Sequence, residues 1–259
     1  MDMIQTINNK IQRGFSGSAK SYDRFSGLHR AIADKLLAQV VQEPAPSVFL
    51  DVGCGTGYLA GKAKEYFPQC RIIGLDFAQG MLEVARTKHE DIVWILGDGH
   101  DLPFSDGRFD IVTSNLAYQW AEDLPRVFSE GRRVLAPSGV LACTLFGYNS
   151  CQELFQCLDE ASGGALQFVR LPDQLKVREA LMTSGFKDPI VDRELIKVEF
   201  KDMYELMAWF KTIGAPHLPR EGYLGAEAVS RAASIYREKF SYLHGVGATF
   251  EVIRVNVKK

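Results

Sequence analysis

Val48-Phe49-Leu50-Asp51-Val52-Gly53-Cys54-Gly55-Thr56-Gly57 is followed, one short helix later, by Arg71-Ile72-Ile73-Gly74-Leu75-Asp76. Both runs are apolar except for a flanking or closing polar residue, as strands buried on both faces of a parallel sheet are. The first ends in a glycine-rich turn that opens a helix. The second ends in an acid at its tip. A strand, a glycine turn, a helix and a second strand capped by a carboxylate form a unit that holds a nucleoside.

The rhythm continues outward from this unit. Spacing predicts helices over 58–67 and 80–88, a third strand over 92–96, a fourth over 109–113, a helix over 124–135 stopped by Pro137 and Gly139, and a fifth strand over 140–145. Alternating strands and helices argue for an α/β fold with a doubly wound parallel sheet. Upstream, Ala31, Ile32, Leu36, Leu37, Val40 and Val41 recur at helical spacing, so residues 1–44 read as a helical arm. Downstream the pattern loosens. Helices are expected over 152–161, 173–184, 202–213 and 226–240, one or two strands over 190–200, and a last strand over 249–257.

Composition removes several classes of function. A net charge of −2 gives no footprint of a general nucleic-acid binder. The five cysteines are odd in number and include no C-x-x-C, which argues against a disulfide framework or a zinc site and for a reducing compartment. The histidines show no metal-ligand spacing. The N-terminus is polar, without a signal-peptide core, and no run of about eighteen apolar residues could span a bilayer. A cytoplasmic protein without metal, membrane or nucleic-acid partner is expected.

The glycine spacing narrows the ligand. Dinucleotide sites use G-x-G-x-x-G and cradle a pyrophosphate. Here Gly53, Gly55 and Gly57 bring the third glycine one residue early, and Asp51 would repel a pyrophosphate. A cationic ligand without phosphate, S-adenosylmethionine, removes that conflict: Asp51 can face its ammonium and Asp76 its ribose hydroxyls. Asp98, in Gly97-Asp98-Gly99 after the third strand, can accept the adenine amine. Polar and aromatic residues in Ser114-Asn115-Leu116-Ala117-Tyr118-Gln119-Trp120 follow the fourth strand, where ligands bind in open α/β sheets. As single features, Asp98 also reads as a turn aspartate and Trp120 as core packing.

Residues 50–57, 74–76, Met81-Leu82-Glu83-Val84-Ala85-Arg86, Gly97-Asp98 and Leu102-Pro103-Phe104 together resemble the class I S-adenosylmethionine-dependent methyltransferases. A narrower resemblance, to the malonyl-[acyl-carrier protein] O-methyltransferases of biotin synthesis, spans nearly the whole chain. It rests on residues 10–22, 114–120, 132–139, Lys211-Thr212-Ile213-Gly214-Ala215 and 248–253.

The resemblance implies a Rossmann-like fold: a doubly wound, mostly parallel seven-stranded sheet with an N-terminal helical arm (1–44), a core (45–200), a helical insertion forming a lid (201–246) and a final core strand (247–259). It implies cofactor contacts from Asp51, Gly53, Cys54, Gly55, Gly57, Asp76, Phe77, Met81, Asp98, Gly99, Asn115 and Gln119, with S-adenosylhomocysteine as the spent cofactor. Tyr22 is expected to close over the methyl group. Trp120, Lys211 and Arg220 are expected on the acceptor side, one of the two cations pairing with a buried substrate carboxylate. That carboxylate is already ionised at pH 7, so no general base is needed. The partner would be an acidic acyl-carrier protein, and the enzyme a monomer. A methyltransferase acting on another carboxylate or a quinone-like carbon shares every cofactor motif. A cofactor-binding protein without catalysis and, more remotely, a nicotinamide-dependent reductase also remain open.

Overall fold

Helices α1 (Met3–Phe25) and α2 (Gly27–Val40) precede the sheet. The next elements are β1 (Val48–Val52), α3 (Tyr58–Tyr66), β2 (Arg71–Asp76), α4 (Gln79–Lys88), β3 (Val93–Leu96) and β4 (Phe109–Asn115). After a 3-10 turn at Tyr118–Trp120 come α5 (Leu124–Val134), β5 (Leu135–Phe146), α6 (Gln152–Ser162), α7 (Gln174–Thr183) and β6 (Ile190–Phe200). The chain continues with α8 (Met203–Thr212), α9 (Ala226–Lys239), β7 (Ser241–Tyr242) and β8 (Gly245–Lys258). The computed structural model describes residues 3–164, 171–214 and 225–259, with the side chains of 3–9 left aside.

The sheet runs β3-β2-β1-β4-β5-β8-β6, with the two-residue β7 paired to β8 as an eighth strand. Strands β1 to β5 are parallel, and β8 is antiparallel to both of its long neighbours, β5 and β6. The order reverses between β1 and β4. At that switch point two chains leave the carboxyl edge in opposite directions and open a crevice.

Alternation along the central strands supplies two cores. Phe49 faces α2 and α3 with its register partner Ile111, among Leu36, Leu37 and Ala60. Leu50 and Val112 face the other way, onto Phe128 of α5 and Leu181 of α7. A third cluster joins α6, α8 and α9 to the long ends of β6 and β8, around Tyr236, Phe200 and Phe250. Asp123, Asp173 and Asp202 cap α5, α7 and α8 by accepting from a backbone N–H three residues on.

Two elements depart from the periodicity. The segment expected as one arm divides: α2 packs its apolar stripe against the sheet, and only α1 crosses the carboxyl edge. Helix α5 ends at Val134, and β5 begins at once rather than at Val140. Pro137 and Gly139 therefore lie inside a strand. A register shift between Phe109 and Ile111 absorbs the extra residues, and Ser138 takes a left-handed backbone (φ +64°). The 190–200 segment forms one continuous strand. No helix among the described residues is long and apolar enough to cross a membrane.

Candidate active site

The carboxyl ends of β1, β2 and β4, with α1 above them, enclose a cavity of about 500 Å³. The turn after β1 shapes its floor. The N–H groups of Gly53 and Cys54 both donate to the Leu75 carbonyl (2.7 and 3.0 Å), which locks the turn against β2. Gly53 has a φ of +70°, and a Cβ there would lie 2.2 Å from the Ala117 Cβ. Gly55 also has positive φ (+54°), but nothing stands within 4 Å of where its Cβ would be. Its backbone is thus open to a ligand.

Asp76 holds this turn from below. Its Oδ2 accepts from the Gly55 N–H and its Oδ1 from the Ala78 N–H, both at 2.8 Å. Burial lifts its carboxyl to about 6 in spite of these bonds. Each oxygen keeps a further lone pair for a ligand hydroxyl. Asp51, 1% exposed, accepts from Thr113 Oγ1 through Oδ1 (3.0 Å), while its Oδ2 has no partner. Burial pushes this carboxyl up to about 7; the Thr113 bond works against that, nearby Asp76 adds to it, and the Ala60 backbone N–H draws it down. An orphaned buried carboxylate oxygen calls for a ligand cation.

Of the residues singled out in the sequence, Tyr22, Gly53, Gly55, Asp76 and Phe77 line the large cavity. Met81, Asp98, Gly99, Asn115 and Trp120 also line it. Asp98 is exposed and accepts from the N–H and the ring of His100 (2.9 and 2.7 Å), which lowers its own pKa and raises that of His100. The Asn115 amide is spent on the protein: it donates to the His29 carbonyl and accepts from Thr144 Oγ1. Tyr22 is half-buried, and burial raises its phenol far above the ordinary value, so the hydroxyl stays protonated.

A smaller chamber of about 60 Å³ adjoins the first. Phe15, Tyr22, Leu116 and Trp120 line both and form the partition between them. Asp51 and Cys54 border a third, polar space of about 50 Å³ beneath the glycine turn, together with Arg30.

Five expected contacts lie elsewhere, Asp51 among them, on the third space and not on the wall of the large cavity. Gln119 lines the small chamber, because its Nε2 donates to the Leu116 carbonyl and turns the side chain away from the large cavity. The buried Cys54 thiol, its pKa raised by desolvation, lies under the turn and not on the main cavity wall. Gly57 lines none of the three spaces. Its φ of +85° opens α3, and a Cβ would come within 2.6 Å of the Trp94 ring, so its need is for packing. Lys211 is exposed in the last turn of α8 and borders neither chamber. Arg220 lies outside the described residues.

Several wall residues carried no signal in the sequence. Ile11, Gln12 and Phe15 of α1 line the large cavity, and Gln12 Nε2 donates to the Phe77 carbonyl (2.7 Å). His100 and His29 were isolated histidines until the fold placed one in each chamber. Among the described residues no group of three metal-ligating side chains exists.

Known proteins share these features. A family model described as a methyltransferase domain matches residues 50–143. The malonyl-[acyl-carrier protein] O-methyltransferase of Xylella fastidiosa is 35% identical over 216 residues, covering 82% of this chain and 73% of that one. The proteins of that name from Hahella chejuensis and Halorhodospira halophila are 32% and 33% identical, over 94% and 96% of this chain and 88% and 87% of theirs. Among solved structures, the YcgJ protein from Bacillus subtilis superposes with a TM-score of 0.62 at 18% identity, over 88% of this chain and 97% of that one. Geranyl diphosphate C-methyltransferase from Streptomyces coelicolor, solved with S-adenosyl-L-homocysteine, gives 0.54 at 15% identity, over 88% and 78%. These superpositions establish the fold.

Proposed function

The chain belongs to the malonyl-[acyl-carrier protein] O-methyltransferase family, and from that membership we propose that it methylates the free carboxylate of a malonyl thioester carried on an acyl-carrier protein, in the early steps of biotin synthesis. S-adenosyl-L-methionine supplies the methyl when bound: a carboxylate oxygen forms the new O–CH3 bond as the S–CH3 bond breaks, and its electron pair stays on sulfur, leaving S-adenosyl-L-homocysteine and a methyl ester.

The observation that carries the reading is the buried, half-satisfied Asp51 beside an open glycine turn that Asp76 supports. In this reading Asp51 faces the methionine ammonium, Asp76 accepts from the ribose hydroxyls and Asp98 from the adenine amine. Gly53 and Gly55 let the nucleoside approach the backbone. Phe77, Met81 and Gly99 give its apolar walls, and Asn115 braces the chain at the switch point. Tyr22 and Trp120 stand in the partition, where methyl donor and acceptor meet.

The acceptor is an anion at neutral pH, so the protein need not remove a proton. Its work is to align the two reactants and to keep water out. Helix α1 serves the second purpose by covering the cavity with Ile11, Phe15 and Tyr22. We read the chain as an arm (1–44), a core (45–200), an insertion (201–246) and a closing strand (247–259), acting in the cytoplasm as a monomer. Purified protein, methyl-labelled S-adenosylmethionine and malonyl carrier protein test the reading. Label should appear in a base-labile ester on the carrier. Its absence at any enzyme level, with cofactor binding intact, would reject the assigned acceptor.

A further inference from the structure

Among the buried polar side-chain atoms that lack a partner, two belong to residues that line the small chamber: His29 Nδ1 and Gln119 Oε1. The residues are only 9% and 8% exposed. The other walls are mostly apolar, among them Phe146, Phe210, Ile213 and Phe250, and no lysine or arginine among the described residues lines the chamber. The Ser150 hydroxyl there is already spent on the backbone of Glu251. Unpaired buried polar groups are uncommon and cost free energy unless a ligand meets them.

The imidazole is also held in place. It stands edge-on to Tyr22 and Phe146 (centroids 5.8 and 5.7 Å) and tilted against Trp209 (5.7 Å), and its own carbonyl accepts from Asn115. Tyr22 belongs to the partition with the cofactor cavity, so His29 sits directly behind the wall that the two spaces share.

We propose that the small chamber receives the acceptor's carboxylate and that His29, donating from Nδ1, binds and orients it. This rests on the methyl transfer proposed above and gives His29 the place expected of Lys211. A neutral donor suits the chemistry. Desolvation holds the imidazole down at about 4 before the anion arrives, and as a neutral donor it orients the anion without neutralising it. The acceptor keeps its negative charge, and with it its attraction to the sulfonium. The carbonyl oxygen of Gln119 repels a carboxylate oxygen and steers the anion to the His29 side. After transfer the uncharged ester loses the charge-assisted hydrogen bond, which favours its departure.

His29→Leu keeps apolar volume without the donor, and His29→Asn restores an amide N–H near the Nδ1 position. Three measurements separate the roles: KM for malonyl carrier protein, Kd for S-adenosylmethionine by calorimetry, and the His29 ring 15N shift as a malonyl thioester is titrated into the S-adenosylhomocysteine complex. The Leu variant should raise KM roughly ten- to a hundredfold, the loss of a hydrogen bond to a charged group. Its cofactor Kd should stay within about twofold, since no cofactor contact is assigned to His29, and the Asn variant should recover most of KM. The 15N shift should respond to the malonyl thioester and not to its methyl ester. An active wild type with an unchanged KM in the Leu variant, or a bound thioester that leaves the shift unmoved, would overturn the His29 assignment alone. A wild type that makes no ester would overturn both proposals.

Discussion

Asp51 and Asp76 are two buried carboxylates with different duties, and burial raises both. Asp76 has backbone partners on both oxygens and supports the turn it helps to form. Replacing it by alanine removes the proposed ribose acceptor and frees two N–H groups. Cofactor binding should weaken by about 2–4 kcal/mol, measured by calorimetry, and wild-type affinity would refute the role. Asp51, the proposed partner of the ligand's cation, is buried and half-satisfied at a cost to the empty protein. Its folded pKa of about 7 lies above its unfolded value, so its stabilising contribution is present below about pH 4 and is lost as pH rises through 7. Asp51→Asn should therefore raise the Tm of ligand-free protein at pH 8 and change little near pH 4. Cofactor binding has the opposite sign, because it needs the ionised form. Wild-type affinity should tighten with pH up to about 7 and then level off, whereas the Asn variant should bind weakly and show no such dependence.

Helix α1 illustrates what an element contributes that its residues do not announce. It is pinned at its middle and near its C-terminal end. Gln12 reaches the Phe77 carbonyl, and Asp23 accepts from Thr56 Oγ1 (2.6 Å) and from Lys88. Between these points it rests on α4, where a Cβ on Gly80 would come 2.5 Å from the Ser16 carbonyl oxygen. Backbone cannot yield as a side chain tip can. Gly80→Ala should push α1 off the cavity, weaken cofactor binding roughly tenfold and make α1 more open to limited proteolysis, with the sheet intact by circular dichroism. Unchanged proteolysis and affinity would show that the contact does not hold the cover. Much of the succession of strands and helices along the chain could be anticipated from alternation of apolar runs and turns. The early start of β5 could not, because Pro137 and Gly139 signal a break, while the bulge that lets them pair with β4 depends on a neighbouring strand.

Across the whole molecule the site gathers around the switch point between β1 and β4, and it draws residues as distant as Ile11 and Val127 into one cavity. Local chemistry alone determined the cofactor half of this protein. Gly53, Gly55, Asp76 and Asp51 lie on one strand-turn-helix-strand unit whose glycine spacing and charge select the ligand before any long-range contact is considered. Tertiary structure decided the acceptor half. Only packing could show that α2 is a core helix, that Gln119 turns from the cofactor toward the second chamber, that Gly57 makes room for Trp94, and that Lys211 stays outside. His29 is a lone histidine on an apolar helix in the sequence. Its Nδ1 becomes a buried, unpaired nitrogen only when α1, β5 and α8 close aromatic rings around it. The physical reason is one of range: backbone conformation and motif spacing act between near neighbours, whereas desolvation and the absence of a partner arise from everything that surrounds a group once the chain has folded.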